Sequence, residues 1–121
     1  MILVAISSGA GGALRFLVGR WVLAQFGAPP PLATGLVNLV GCGLIGYVSG
    51  LASRHGGLSP EAALMLTTGF CGGFTTFSAF AWENLQLLRS GSPLPALAYM
   101  LTSVGLGILA AWAGLRLASP A

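Results

Sequence analysis

Between Ala62 and Trp82, and again between Pro95 and Leu115, the chain carries no charged side chain. Each run is long enough for a helix of about twenty residues to cross the hydrocarbon core of a bilayer. No water reaches the backbone there, so every peptide N–H and C=O must find its partner inside the protein. For a single span that means an α-helix. Two further apolar segments precede these, from about Ile2 to Phe26 and from about Leu32 to Ala52. The pattern predicts an all-α membrane protein with spans at 2–26, 32–52, 61–89 and 94–117, forming one transmembrane domain over 1–121. Composition agrees, because only 6% of the residues are charged against about a quarter in soluble domains.

The third span contradicts its own surroundings. Residues Gly69 to Phe80 read G-F-C-G-G-F-T-T-F-S-A-F. Gly72 and Gly73 are expected to weaken the helix, since glycine has no side chain to restrict its backbone. Thr75, Thr76 and Ser78 bring hydroxyls that can bond the backbone groups a break would free. Within a membrane, an interrupted helix persists only where protein buries it or where it lines a polar cavity. Transporters place ions at such breaks. Phe77 and Phe80 follow at i, i+3, which puts both rings on one face.

Helix boundaries are marked clearly. Gly27-Ala28-Pro29-Pro30-Pro31 ends the first span. Ser59-Pro60-Glu61 opens the third with an N-cap serine, a first-turn proline and an acid that suits the helix dipole. The N-terminus has no basic region ahead of its apolar run and does not resemble a cleaved signal peptide. His55 falls in the short loop after the second span, where it is expected to be solvated.

Polar residues inside the spans are few. Arg15 lies well within the first span, where its charge must face protein, water or a polar path, or snorkel outward. Arg20 stands beside Trp21, at the expected interface. Asn38 is the one strongly polar residue of the second span, able to bond neighbouring helices through two donors and an acceptor. Glu83 lies one turn beyond Phe80, as a carboxylate near the interface. Cys42 and Cys71 sit in apolar segments as small packing residues, with no zinc-type spacing. Neither a nucleophile–base pair nor a metal constellation appears, so an enzyme is not expected. Five scattered arginines form no basic track, which argues against nucleic acid as a partner.

Four spans put both termini on one side of the membrane. Arg54 and Arg116 then flank one face, Arg20 and Arg89 the other. Such a balance gives no positive-inside preference. Insertion in both orientations makes an antiparallel homodimer available, with its two-fold axis in the membrane plane. Four short helices also enclose too little space for one copy to form a pore.

These residues resemble the bacterial fluoride channels (the Fluc family). The likeness rests on G-F-C-G-G-F-T-T-F-S-A-F, on G-G-A-L-R-F in the first span, on V-N-L-V-G-C in the second, and on the spacing of Tyr99 and Ser103 in the fourth. It therefore touches all four spans. The resemblance implies a dual-topology homodimer in the bacterial inner membrane, with two antiparallel fluoride pores. It further implies that Phe77 and Phe80 line the fluoride path with ring edges and that Asn38 donates to the ion. Ser78 and Ser103 would extend a polar track, with Tyr99 buttressing the phenylalanines. A structural sodium ion, not transported, would be held by the main-chain carbonyls of Gly72 and Thr75. Arg15, Arg20 and Glu83 would belong to the vestibule. Two positions depart from the family pattern: Ala79 replaces a common threonine, and Gly43 a common phenylalanine.

The chemistry is compatible with such a role. Fluoride is small and tightly hydrated, so compact donors must replace its water. Ring edges carry positive partial charge and favour an anion without a fixed countercharge. Conduction also needs binding weak enough to release. Passive flux driven by an inside-negative potential would lower cytoplasmic fluoride. A proton-coupled small multidrug exporter is the nearest rival, but it needs a carboxylate in the first span, where this chain has none. A non-conducting scaffold would leave the breakers and hydroxyls of the third span unexplained.

Overall fold

The computed structural model describes residues 1–27, 30–54 and 57–118. His55 and residues 28 and 29 lie outside them. Helix α1 covers Ile2–Phe26 and α2 covers Pro30–Ala52. The third span is composite: α3 (Pro60–Leu64), a wider π-helical segment (Met65–Cys71), a single turn α4 (Gly72–Phe74), then α5 (Phe77–Arg89). Helix α6 covers Pro93–Ala118. Among the described residues, four helical stretches are long and apolar enough to cross a membrane: Ile2–Phe26, Pro31–Ala52, Pro60–Arg89 and Pro93–Ala118.

Local signals in the sequence explain the ends. Gly27 closes α1 in the left-handed region at φ 56°, and its N–H bonds the carbonyl of Leu23 at 2.9 Å. Glycine adopts that conformation without the Cβ penalty other residues meet. Ser59 caps α3 through its side chain, which accepts from the N–H of Ala62 at 3.2 Å. Each cap satisfies a terminal backbone group that has no partner within its helix.

Small residues set which helices touch. Helices α2 and α6 pack most extensively, along Gly43, Gly46 and Gly50 on one side and Ala111, Gly114 and Ala118 on the other. A Cβ added at Gly46 would collide with the carbonyl of Ala111, and one at Gly114 with that of Gly43. In lipid, close backbone approach of this kind replaces the hydrophobic drive that water would supply. Arg54 ties the same two helices at their ends, donating from Nη1 to the carbonyl of Ala118 at 3.1 Å. Arg54 and Arg116 therefore do share a side.

Helix α1 packs against the first half of the third span, again through glycines. A Cβ at Gly73 would overlap the carbonyl of Ser8, one at Gly69 the hydroxyl of Ser7, and one at Gly11 the carbonyl of Phe70. Gly72 and Gly73, expected to weaken the helix, do not break it where they stand. Both glycines lie within helical turn α4, Gly72 at φ −61°, ψ −38°. Gly73 is there to admit α1. The break comes after them, at Thr75 and Thr76.

Candidate functional site

The break is built from two extended residues, Thr75 at φ −87°, ψ 161° and Thr76 at φ −150°, ψ 117°. Its N-terminal edge is closed by Thr75, whose N–H and Oγ1 both donate to the carbonyl of Cys71, at 2.9 and 2.8 Å. Its C-terminal edge is opened by Thr76, whose Oγ1 accepts from the N–H of Ala79 at 3.1 Å and so caps α5. Threonine suits both jobs because a short hydroxyl reaches local backbone.

Asn38, on α2, holds the break from outside. Its Nδ2 donates to the carbonyl of Thr76 at 3.1 Å, while the N–H of Thr76 donates to its Oδ1 at 2.8 Å. One amide therefore satisfies both main-chain polar groups of one residue in the middle of a membrane. Arg15, from α1, reaches the same region and donates from Nε to the carbonyl of Gly73 at 3.4 Å.

In an unbroken helix, the N–H groups of Thr76 and Ala79 would bond the carbonyls of Gly72 and Thr75. Here both N–H groups are bonded elsewhere, to Asn38 Oδ1 and to Thr76 Oγ1. Those two carbonyls are left without their helical donors. They are the oxygens through which Gly72 and Thr75 could hold a hard cation.

Around the break, most of the expected path residues come together. Asn38, Gly72, Thr75, Phe77, Phe80 and Ser103 line one groove of about 640 Å³. Tyr99 lines an adjoining groove of about 590 Å³ together with Asn38 and Ser103. The Phe80 and Tyr99 rings meet edge-on, with centroids 4.9 Å apart and planes at 67°. Phe77 and Phe80 are 6.0 Å apart and tilted by 46°. Phe77 is 78% exposed. Ser78 lines neither groove; its Oγ shares a hydrogen bond of 3.2 Å with Thr76 Oγ1.

A third cavity, of about 350 Å³, gathers Arg15, Arg20 and Glu83 on the other side of the break, with Thr76 common to it and the larger groove. The guanidinium of Arg20 lies 5.9 Å from the Phe16 ring centroid, a cation–π contact on its own helix. Glu83 is held more tightly than an interfacial carboxylate needs to be. Thr34 Oγ1 donates to its Oε2 at 2.7 Å and the Tyr99 hydroxyl to its Oε1 at 2.8 Å.

Two participants carry weak sequence signals. Thr34 is nearly buried, and its only mark is its position one helical turn before Asn38, which puts both on one face of α2. Asn84 is 6% exposed and donates from Nδ2 to the carbonyl of Phe80 at 2.9 Å. Following Glu83 near a helix end, it reads in sequence like part of a polar terminus. Among the described residues, its Oδ1 has no partner.

Comparison with known proteins fits this arrangement. Residues 2–115 match the profile of the family described as CrcB-like protein, Camphor Resistance (CrcB). A protein of Rhizobium meliloti named "Fluoride-specific ion channel FluC" is 43% identical over 117 residues, covering 97% of this chain and 94% of its own length. "Fluoride-specific ion channel FluC 2" of Rhodococcus jostii is 43% identical over 119 residues, covering 98% of each chain. A FluC of Chloroflexus aurantiacus is 42% identical over 117 residues, covering 97% of this chain and 93% of its own. With residues 2–115 matched, reaching into all four spans, and a broken third span in place, the chain belongs to the CrcB-like family of multi-pass bacterial membrane proteins.

Proposed function

We propose that the chain is a fluoride-selective channel of the bacterial inner membrane that lets fluoride leave the cytoplasm down its electrochemical gradient. The observation that carries this reading is the single groove lined by Asn38, Phe77, Phe80 and Ser103 beside a break in the third span. Compact donors and ring edges converge there without a lysine or arginine, which suits an anion that must bind weakly and move on. The names borne by the relatives point to the same ion.

In this reading Phe77 and Phe80 offer their edges to fluoride, and Tyr99 keeps Phe80 in orientation through the edge-on contact. Asn38 retains a second Nδ2 hydrogen beyond the one given to Thr76, and that hydrogen can donate to the ion. Ser103 supplies a hydroxyl, and Ser78, paired with Thr76, continues the polar track. Arg15 and Arg20 raise the anion concentration in the vestibule. Glu83 is held in place by the two hydroxyls that donate to it.

The working unit would be an antiparallel homodimer with two pores. Support comes from the exposure of Phe77, a large apolar ring turned outward at mid-span, and from the even arginine balance. A structural sodium would sit at the dimer axis, held by the carbonyls of Gly72 and Thr75. These fit a hard cation because they are neutral oxygens released from helical bonding. When bound, the ion supplies a fixed positive charge that lowers the cost of an anion in a low-dielectric interior.

Purified protein in liposomes tests the function. Fluoride efflux that exceeds chloride efflux by orders of magnitude is expected; no fluoride flux, or equal chloride flux, rejects the reading. Reporters fused to the C-terminus should appear on both faces of the membrane. A single orientation would sink the dimer.

A further inference from the structure

On α2, Gly41 follows Asn38 by three residues and so shares its face toward the break. A Cβ added at Gly41 would collide with Cγ2 of Thr75, and would stand 3.6 Å from both Thr75 Cβ and Phe74 Cδ2. We propose that Gly41 is a positioning residue: the hollow it leaves receives the Thr75 methyl and so sets the Thr75 carbonyl for a sodium ion. The bearing on sodium rests on the reading of that carbonyl as an ion ligand; the seating of Thr75 does not.

The side chain of Thr75 has little choice of direction. Its Oγ1 and its own N–H both donate to the carbonyl of Cys71, at 2.8 and 2.9 Å. Once the hydroxyl of a β-branched side chain is held, its methyl direction is fixed as well, because both groups leave the same Cβ. That methyl meets α2 where Gly41 has no side chain. A larger residue at 41 could displace the methyl only by pulling the hydroxyl from Cys71 or by shifting the Thr75 Cα.

Shifting that Cα turns the carbonyl. The C=O of Thr75 and the N–H of Thr76 belong to one planar trans peptide unit and point in opposite directions. The N–H is held by Asn38 Oδ1 at 2.8 Å, so the carbonyl is directed away from Asn38. Asn38 thus fixes one edge of the unit, and Gly41, through the methyl, fixes the Cα from which the unit starts. Both grips come from α2. Gly41, Gly72 and Thr75 line the same groove. Ion affinity responds to such placement, since binding groups must be held within about 0.5 Å of their working geometry.

Moving one methyl group between helices tests this. Gly41→Ala adds a methyl to α2; Thr75→Ser removes the methyl it would strike and keeps the hydroxyl. Melting of the purified protein in detergent is followed as sodium chloride replaces N-methylglucamine chloride at constant ionic strength. Gly41→Ala should melt lower and need about tenfold or more sodium for half-maximal stabilisation. The double variant should melt nearer the parent and recover most of the sodium response, the non-additivity expected of groups in contact. A double variant as poor as Gly41→Ala overturns the seating. Gly41→Ala that melts lower yet keeps the parent's sodium midpoint overturns the setting of the carbonyl. If Gly41→Ala does not fold, a double variant that folds upholds the seating, and one that does not overturns it. If melting of the parent ignores sodium, the ion reading fails, and the comparison of single and double variants still decides whether Gly41 seats Thr75.

Discussion

Asn38 and Thr76 form a two-way clamp across helices: the side-chain amide of one bonds both main-chain polar groups of the other, at 3.1 and 2.8 Å. A helix can be opened in lipid only if the freed groups are satisfied, and this pair supplies the partner for the residue at the centre of the gap. The clamp also aims the remaining Nδ2 hydrogen of Asn38 from a fixed amide plane, which joins the stability of the break to the chemistry of the groove.

Asn38→Ala should therefore lose stability as well as flux. Removing a buried partner from two backbone groups costs about 2–4 kcal/mol, read as a lowered melting temperature in detergent, and fluoride efflux should vanish. Asn38→Asp keeps an acceptor for the Thr76 N–H and should fall between the two. An Asn38→Ala protein that melts like the parent would refute the clamp.

The glycine pair separates packing from breaking. Gly73→Ala must push its new methyl into the Ser8 carbonyl of α1, for a loss of about 1–3 kcal/mol. Gly72→Ala meets nothing nearer than the Thr67 carbonyl at 3.9 Å, so the single chain should fold normally. Comparing the two melting curves checks this. Equal destabilisation would mean that both glycines serve the backbone and not the contact with α1.

Phe80→Ile keeps apolar bulk and removes the ring edge. Efflux should drop by about tenfold or more while the protein remains folded. Unchanged flux would remove Phe80 from the path.

Tyr99→Phe isolates the carboxylate of Glu83. The ring still meets Phe80 edge-on, but Glu83 loses one of its two donors, at a cost of about 1–3 kcal/mol. Thr34→Val removes the other. Because both hydroxyls bind one carboxylate, the double variant should depart from the sum of the singles by about 0.5 kcal/mol or more. Strict additivity in thermal unfolding would show that the two bonds act independently.

Exchange of sodium for a bulky organic cation, by prolonged dialysis before reconstitution, should abolish fluoride efflux and restore it when sodium returns. Full efflux after exchange, with sodium shown absent by elemental analysis, would dismiss the proposed ion.

Much of this site could be read from residue order. The charge-free runs mark the spans, Ser59 and Gly27 mark helix ends where the structure has them, and the glycines and hydroxyls of 72–78 announce a weak third span, though not the residue at which it opens. The spacing of Phe77 and Phe80, like that of Tyr99 and Ser103, follows from helical periodicity. Thr34 was not readable in this way. A threonine in a membrane helix normally bonds its own backbone, and only the approach of α5 presents Glu83 to it. Asn84 bonds its own helix, to the carbonyl of Phe80, and what residue order hides is its burial.

The sequence by itself determined that this chain lives in a bilayer, spans it four times, and carries a weakness in the third span beside two aromatic rings. Those are consequences of dry surroundings acting on local composition. Tertiary structure decided where the weakness became a break. Gly72 and Gly73 have the propensity to open the helix, yet both are helical, and α1 packs closely against Gly73. Thr75 and Thr76 have less intrinsic freedom, yet they open because Asn38 waits across the gap with a matching donor and acceptor. Where backbone groups can be left unbonded depends on what neighbouring helices bring to them, and that is settled only once the helices have packed.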